Sequence, residues 1–167
     1  ANTMSTAHDA MSDGEEVTID PQSEEVIIDP QGDAILQLGP DGAVLTSLRV
    51  ASRVLSFASP VFAAMFKHNF MGEQSSSPSS PRRFRLCDDD PTAMSLLCYI
   101  VHLRATSIPA QVDHETLADF AVLCNKYDCV QTMNAQSRLW AQELLKKPES
   151  SHFQKLVFST YVLDQPH

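Results

Sequence analysis

The densest group of possible ligands in the sequence is an acidic triplet, Asp88-Asp89-Asp90, which directly precedes Pro91. Carboxylate oxygens are the ligands that Mg²⁺ and Ca²⁺ prefer, so a triplet of this kind could hold a hard cation. The same residues also suit the start of a helix. An aspartate before a first-turn proline accepts backbone hydrogen bonds, and its charge meets the positive end of the helix. We favour the helix cap, and the sequence therefore predicts no metal site here.

Four cysteines and six histidines could form a zinc site, or a thiol nucleophile paired with a histidine. Zinc sites place their ligands in close pairs, and the sequence contains no such pair. Cys98 and Cys124 fall on the apolar faces of predicted helices, which indicates buried, unreactive thiols. The sequence also lacks a glycine-rich phosphate loop and a nucleophile elbow. We therefore expect a chain without catalysis, without a metal and without a cofactor.

One basic cluster, Arg82-Arg83-Phe84-Arg85, could contact nucleic acid, but its alternation is more typical of the solvated face of a strand. The net charge of the chain is −9, and the first 33 residues hold nine acids and no lysine or arginine. The remainder carries equal numbers of acids and bases. This distribution argues against binding to nucleic acid or to an anionic membrane surface. No apolar run is long enough to span a bilayer.

Two Ser-Pro sequences, at Ser77 and Ser80, match the pattern of proline-directed phosphorylation. Nearby arginines could pair with a phosphate on either serine. The low-complexity stretch over residues 74–81 also suits a flexible connecting loop, which is the interpretation that the composition favours.

A nine-residue repeat lies in the acidic part of the chain. Glu15–Gln22 (EEVTIDPQ) recurs as Glu24–Gln31 (EEVIIDPQ), and each copy holds a short β-prone core. We predict that residues 1–28 form a largely disordered acidic arm. The repeat leaves two possibilities open. It is either a local duplication within that arm, or a short strand that adds to a sheet edge of this chain or of a partner.

The following residues predict a hairpin and two short helices. Ala34–Leu38 and Ala43–Leu48 flank a Gly-Pro-Asp-Gly turn, in which proline presets φ and glycine tolerates a positive φ. The helical spacing of Val50, Val54, Phe57 and Ala58 predicts a first helix. Ser59-Pro60 then predicts the cap and the first residue of a second helix.

One more strand and four more helices are predicted after the Ser/Pro-rich loop. Phe84 and Leu86 alternate with polar residues, which predicts the strand. The helices are predicted at about 91–103, 115–126 and 130–147, and around 153–161. A small sheet followed by a helical cluster indicates the α+β class.

Several blocks of the sequence, taken in order, resemble the BTB/POZ domain in the form common in fungal proteins. They are Gly32–Leu36, Val50–Leu55, Ala58–Phe66, Leu86–Pro91 and Cys124–Cys129. The resemblance is close over residues 29–130 and looser over residues 131–167, the predicted C-terminal helical extension. It implies a small mixed sheet flanked by a cluster of short helices, and a non-catalytic protein–protein interaction domain.

The resemblance also implies partners. Many members of the family dimerise through the first helix and an exchanged N-terminal strand, so a homodimer is the leading prediction, and pairing with other BTB proteins is a variant of it. The residues expected at the dimer interface are Val17, Ile19, Val26, Ile28, Val50, Val54 and Phe57.

Two alternatives follow from other branches of the family. Ubiquitin-ligase adaptors that bind a cullin scaffold carry a hydrophobic-x-Glu motif after the second short helix, which Met71-Gly72-Glu73 matches, with Phe70 beside it. Transcription-associated members pair an acid on the first strand with a basic residue. Asp33 keeps the acid here, but Ser52 cannot supply the cation. We therefore expect Asp33 to be solvated or bonded in another way, because an unpaired buried carboxylate is costly.

The cellular compartment is predicted from the cysteines and the N-terminal residues. The first residues of the sequence lack the basic and apolar segments of a secretory signal. The cysteines are therefore expected to stay reduced, in the cytoplasm, the nucleus or both.

Overall fold

A four-stranded mixed sheet and five α-helices make up the described chain, which in this computed structural model comprises residues 19–70 and 77–146. The strand order is β1-β3-β2-β4. The strands are β1 (Ile19–Ile27), β2 (Ala34–Leu38), β3 (Val44–Val50) and β4 (Arg82–Leu86). The predicted α+β class is confirmed.

The β2–β3 hairpin forms the centre of the sheet, as its turn chemistry predicts. Its two strands are antiparallel, with Leu36 opposite Leu48. Both outer strands add in parallel, β1 beside β3 and β4 beside β2. Every side chain of β2 is buried, because this strand has a neighbour on each side and is covered on both faces.

The edge strand β1 comes from the segment that was predicted to be a disordered arm. Glu24–Ile27 pair with Thr46–Arg49, and the register is irregular between Ile19 and Glu24. The sheet thus starts before residue 29, where the sequence predicted the domain to begin. The second copy of the repeat supplies a strand at the sheet edge, which was the second of the two possibilities. Val17, in the first copy, lies outside the described residues.

The helices follow the sheet in two groups. Their bounds are α1 (Ser52–Ala58), α2 (Pro60–Phe70), α3 (Pro91–Val101), α4 (His114–Lys126) and α5 (Val130–Leu145), with a 3₁₀ turn at Ala105–Ser107. The first helix is shorter than predicted, because Val50 ends β3 and does not belong to α1. The helix predicted around residues 153–161 lies outside the described residues.

Local capping explains where three of the helices begin. The Asp90 carboxylate accepts a hydrogen bond from Ala93 N at 2.7 Å, which confirms the predicted cap of α3. Ser59 Oγ accepts a hydrogen bond from Phe62 N at 3.1 Å at the start of α2, also as predicted. Asp113 caps α4 in the same way, through Thr116 N.

The core lies between the sheet and the helices. Phe66 of α2 meets Phe84 of β4 edge to face, with ring centroids 4.9 Å apart. Phe120 of α4 meets Trp140 of α5 in the same geometry. Trp140 Nε1 donates a hydrogen bond to Pro109 O, so the buried indole keeps a partner for its one polar atom.

Candidate protein-interaction surface

An apolar groove of about 460 Å³ lies open between α1 and α3, with the start of α5 at one side. We call its lining residues the α1–α3 face: Val54, Phe57, Ala58, Ile100, Val101, Leu103 and Thr132. Phe57 is 80% exposed and Leu103 is 87% exposed. Two large apolar side chains beside an apolar groove are a pattern typical of a docking surface.

Leu103 also has an uncommon backbone conformation, with a φ of 56°. It follows the C-cap of α3, where Leu103 N donates to Ile100 O at 3.1 Å and Arg104 N donates to Tyr99 O at 2.8 Å. This pattern is the Schellman motif, whose left-handed position is normally glycine. A leucine there carries about 1–2 kcal/mol of backbone strain. It also exposes its apolar side chain to water.

A second helix ends in the same way without an exposed apolar side chain. Asp128 follows α4 with a φ of 49°, and Cys129 N donates to Cys124 O at 2.9 Å. Aspartate tolerates the left-handed conformation better than leucine does, because its short polar side chain can bond locally. Asp128 therefore offers a natural comparison for Leu103.

The N-terminus of α1 is held by two side chains from other elements. Asp33, next to β2, accepts hydrogen bonds from Ser52 N through Oδ1 and from Ser52 Oγ through Oδ2, both at 2.7 Å. Asp33 is thus bonded through Ser52, the second of the two outcomes expected from the sequence. Ala51 N donates to His102 Nε2 at 3.1 Å, while His102 Nδ1 donates to Cys98 O at 2.8 Å.

These contacts join the start of α1 to the sheet and to the end of α3. The His102 ring is neutral in this arrangement, because Nε2 accepts a hydrogen bond. Burial lowers its pKa and outweighs the opposing effect of the bond to Cys98 O. At the other end of α1, Thr132 Oγ1 donates to Ala58 O at 3.2 Å. Both ends of α1, the helix that forms one side of the groove, are therefore held by hydrogen bonds.

The residues predicted at the dimer interface separate into three groups. Val54 and Phe57 lie on the α1–α3 face. Ile28 and Val50 are fully buried in the core of the chain, so as placed their side chains cannot reach a partner. Val26 is partly buried against that core, and Ile19 begins β1 opposite Val44.

Five residues of the face were not among the predicted interface residues: Ala58, Ile100, Val101, Leu103 and Thr132. Val101 is partly buried against the core and also lines the groove, so the apolar side of α3 continues from the core onto the surface. The exposed position of Leu103 depends on the left-handed turn, for which a leucine gives no sequence signal. Ile27, exposed on β1, was also missed.

Of the three residues predicted to bind a cullin, only Phe70 lies within the described part of the chain. Phe70 is the last residue of α2. Met71 and Glu73 lie outside the described residues, so their contribution stays a prediction.

A buried polar network connects two of the sequence blocks singled out above. Asp89, whose side chain is 2% exposed, accepts hydrogen bonds from Lys126 Nζ at 2.7 Å and from Tyr127 OH at 2.6 Å. Burial, together with the hydrogen bond to Asp89, raises the pKa of Tyr127. The acidic triplet therefore divides its roles: Asp90 caps α3 and Asp89 anchors the end of α4. Nowhere in the described ranges do three or more potential ligands converge on a metal position.

The cysteines are the next group that could do chemistry. Cys98, Cys124 and Cys129 are buried thiols, and burial raises the pKa values of Cys98 and Cys124, as their predicted inert role requires.

Arg85 corrects the prediction of a solvated arginine face. Its guanidinium donates to the carbonyls of Gln37 and Gly39, both at 3.1 Å, and also to those of Pro40 and Ala43. It therefore secures the β2–β3 turn.

The comparison with known families agrees with this fold. The family model of the BTB/POZ domain matches residues 33–144, more than half of the chain. The chain belongs to the BTB/POZ domain family. Domains of this family are non-catalytic protein–protein interaction modules that commonly self-associate and bind cullins. No curated protein matches the chain. Within the described ranges, no helix has the length and hydropathy to cross a membrane.

Proposed function

We propose that this chain is a self-association module that forms a two-fold dimer through the α1–α3 face. The observation that carries the proposal is Leu103, an exposed leucine held at a positive φ at the rim of an apolar groove. Backbone strain and apolar exposure both cost free energy in the isolated chain, and strained residues of this kind cluster at functional sites. A partner that buries Leu103 offsets both costs.

A second copy of the chain is the partner that fits this face best. A two-fold interface is self-complementary, so one patch must supply both the protruding groups and the cavities that receive them. The α1–α3 face has both, with Phe57 and Leu103 protruding beside the groove. Arg53 stacks over the Phe57 ring at 5.6 Å and places a polar group at the rim, where interfaces usually carry polar side chains.

The test is a pair of glycine substitutions that relax the same backbone conformation at two places. Leu103→Gly removes the strain and the apolar side chain together, whereas Asp128→Gly relaxes the other Schellman turn and leaves the face intact. We expect Leu103→Gly to keep or raise the thermal stability of the monomer while raising the dimer dissociation constant at least about tenfold. Asp128→Gly should leave that constant unchanged.

The measurement is the mass in solution across a concentration series, by light scattering after size exclusion. Phe57→Ala provides a second variant of the face, and Leu139→Ala, at an exposed leucine of α5, is its control. A monomeric mass for the unsubstituted chain at tens of micromolar would reject the dimer. A dimer that tolerates both Leu103→Gly and Phe57→Ala would place the interface elsewhere.

A second candidate function is that of a ubiquitin-ligase adaptor that binds a cullin scaffold. The supporting observation is the position of the hydrophobic-x-Glu motif Met71-Gly72-Glu73, which begins directly after the last residue of α2. We expect the chain to bind a cullin N-terminal domain in calorimetry, and expect Met71→Ala and Glu73→Lys each to weaken that binding. Glu25→Lys, which makes the same charge change on β1, serves as the control. Binding that is indifferent to both motif variants would remove these residues from the site.

The proposed compartment is the cytoplasm, the nucleus or both. The buried, unpaired thiols of Cys98, Cys124 and Cys129 support it, because reducing compartments preserve such thiols. Fluorescence microscopy of the tagged chain in its native cell provides the test, and a signal confined to the secretory pathway would contradict the proposal.

A further inference from the structure

A tight turn before β4 brings the first Ser-Pro sequence into a defined conformation. Ser77 and Ser80 form an isolated antiparallel bridge, in which Ser77 N donates to Ser80 O at 3.3 Å and Ser80 N donates to Ser77 O at 3.0 Å. Pro78 and Ser79 form the tip and are exposed. The described part of the Ser/Pro-rich stretch is thus an ordered turn at the surface, where a modifying enzyme has access.

Donor groups already surround the Ser77 hydroxyl. Ser77 Oγ lies 3.2 Å from Ser80 N, which donates to it, and 3.0 Å from Ser79 Oγ. A phosphate attached to Ser77 would stay within reach of both groups, since its oxygens extend beyond the hydroxyl position. Charged acceptors make stronger hydrogen bonds with such donors than a neutral hydroxyl does.

An arginine from the sheet is fixed beside the same turn. Arg49 of β3 donates through Nη2 to Pro78 O at 2.6 Å and through Nε to Gly32 O at 3.2 Å. Across the described residues, both of its side-chain hydrogen bonds therefore go to neutral carbonyl groups. These two bonds position the guanidinium beside the turn that contains Ser77.

We propose that Ser77 is a phosphorylation site and that Arg49 and the donors of the turn hold its phosphate. Pro78 after the serine defines the enzyme class as a proline-directed kinase that uses ATP. The Ser77 oxygen attacks the γ-phosphorus of ATP, and a new phosphorus–oxygen bond forms. The bond from that phosphorus to the β–γ bridging oxygen breaks, ADP leaves, and the hydroxyl proton passes to a base of the kinase.

The modification would act on the sheet edge through Arg49. The backbone carbonyl of Arg49 accepts hydrogen bonds from Ile28 N and Asp29 N, both at 3.0 Å, so this residue also holds the end of β1. A phosphate of charge about −1.5 to −2 on Ser77 would pair with the Arg49 side chain and fix the turn against β3. This inference does not depend on the dimer or on cullin binding.

The experiment begins with the full chain, ATP and a proline-directed kinase, with the modified serines mapped by mass spectrometry. The second pKa of each phosphate is then measured by ³¹P NMR titration. We expect Ser77 to be modified in the folded chain, and its phosphate to titrate about one unit lower than a phosphate on Ser80 in the same protein. Ser80 serves as the internal reference.

Three variants make the assignment specific. Arg49→Gln should raise the pKa of the Ser77 phosphate to that of the reference, while Arg83→Gln, at an exposed arginine of β4, should leave it unchanged. Arg49→Lys keeps the charge and should retain part of the shift, even if the glutamine variant folds poorly. A folded chain that the kinase modifies at Ser80 alone would overturn the proposal. So would a Ser77 phosphate whose titration is the same with arginine, lysine or glutamine at position 49.

Discussion

Removing one oxygen atom from the buried network around Asp89 should cost the chain a measurable part of its stability. Tyr127→Phe deletes the hydroxyl that donates to Asp89 Oδ2 at 2.6 Å. The aromatic ring remains, and with it the stacking on Phe62 at a centroid distance of 4.2 Å. The substitution therefore isolates one hydrogen bond to a buried carboxylate.

The magnitude follows from the charge and burial of the acceptor. Hydrogen bonds to charged groups contribute about 1.5–3 kcal/mol, and the carboxylate left behind is too buried for water to replace the donor easily. For a chain of this size, each kcal/mol lowers the melting temperature by about 2–4 °C. We expect Tyr127→Phe to melt about 3–12 °C below the unsubstituted chain.

Lys126 should matter less than Tyr127 to the same carboxylate. Its side chain is 48% exposed, so the ion pair with Asp89 is screened by solvent. Lys126→Ala should cost about 1 kcal/mol or less, and the loss should shrink at high salt.

Urea denaturation and calorimetry measure these effects, and Tyr99→Phe is the matched control. Among the described residues, the Tyr99 hydroxyl makes no hydrogen bond, so its removal should change the unfolding free energy by less than about 0.5 kcal/mol. The reasoning is refuted if Tyr127→Phe is as mild as Tyr99→Phe. It is also refuted if Lys126→Ala costs more than Tyr127→Phe.

Three other predictions concern pH, the start of α1 and the thiols. Because burial lowers the pKa of His102, the unfolded chain binds more protons than the folded chain below the usual histidine pKa of about 6.5. The contribution of His102 to the free energy of unfolding should therefore be fully present above that pH. It should be lost as the pH falls toward the pKa of His102 in the folded chain, and the loss should be smaller in His102→Gln. Asp29 opposes this shift and Arg104 adds to it, and urea midpoints across the pH range measure the balance. Ser52→Ala removes one of the two hydrogen bonds that Ser52 donates to Asp33 and should cost about 1–3 kcal/mol in urea denaturation. An unchanged midpoint would mean that solvent replaces the hydroxyl. A thiol reagent should label Cys87 first in the native chain, because the other three cysteines are buried. Mass spectrometry identifies the labelled cysteine, and labelling at Cys124 first would contradict its burial.

Features that rest on local chemistry could be predicted from the sequence. The caps at Ser59 and Asp90 depend on a side chain and the backbone within three residues of it, so their signature lies in a few consecutive positions. The β2–β3 turn is equally local. The family resemblance was carried by blocks in which such features occur in a fixed order.

Other features depend on residues distant in the sequence and could not be predicted. Val50 has helical spacing to Val54, but it is also β-prone, and only pairing with Ala34 decides that it belongs to a strand. Asp89 and Lys126 were each part of a singled-out block, yet no local pattern shows that they meet. Position 103 is a leucine and not the glycine that is typical of a left-handed turn, so this exposed apolar residue of the α1–α3 face had no sequence signal.

The strand order has a consequence for how the chain folds during synthesis. The central hairpin closes through a short local turn, whereas β4 must reach β2 from far along the chain, with Arg82 opposite Ala34. Long loops close at a higher entropic cost than short ones, so the hairpin should form first and β4 should join late. Until β4 leaves the ribosome, one side of β2 offers unpaired backbone groups, in a strand whose side chains are all apolar except Gln37. That interval is when aggregation through the β2 edge would compete with folding.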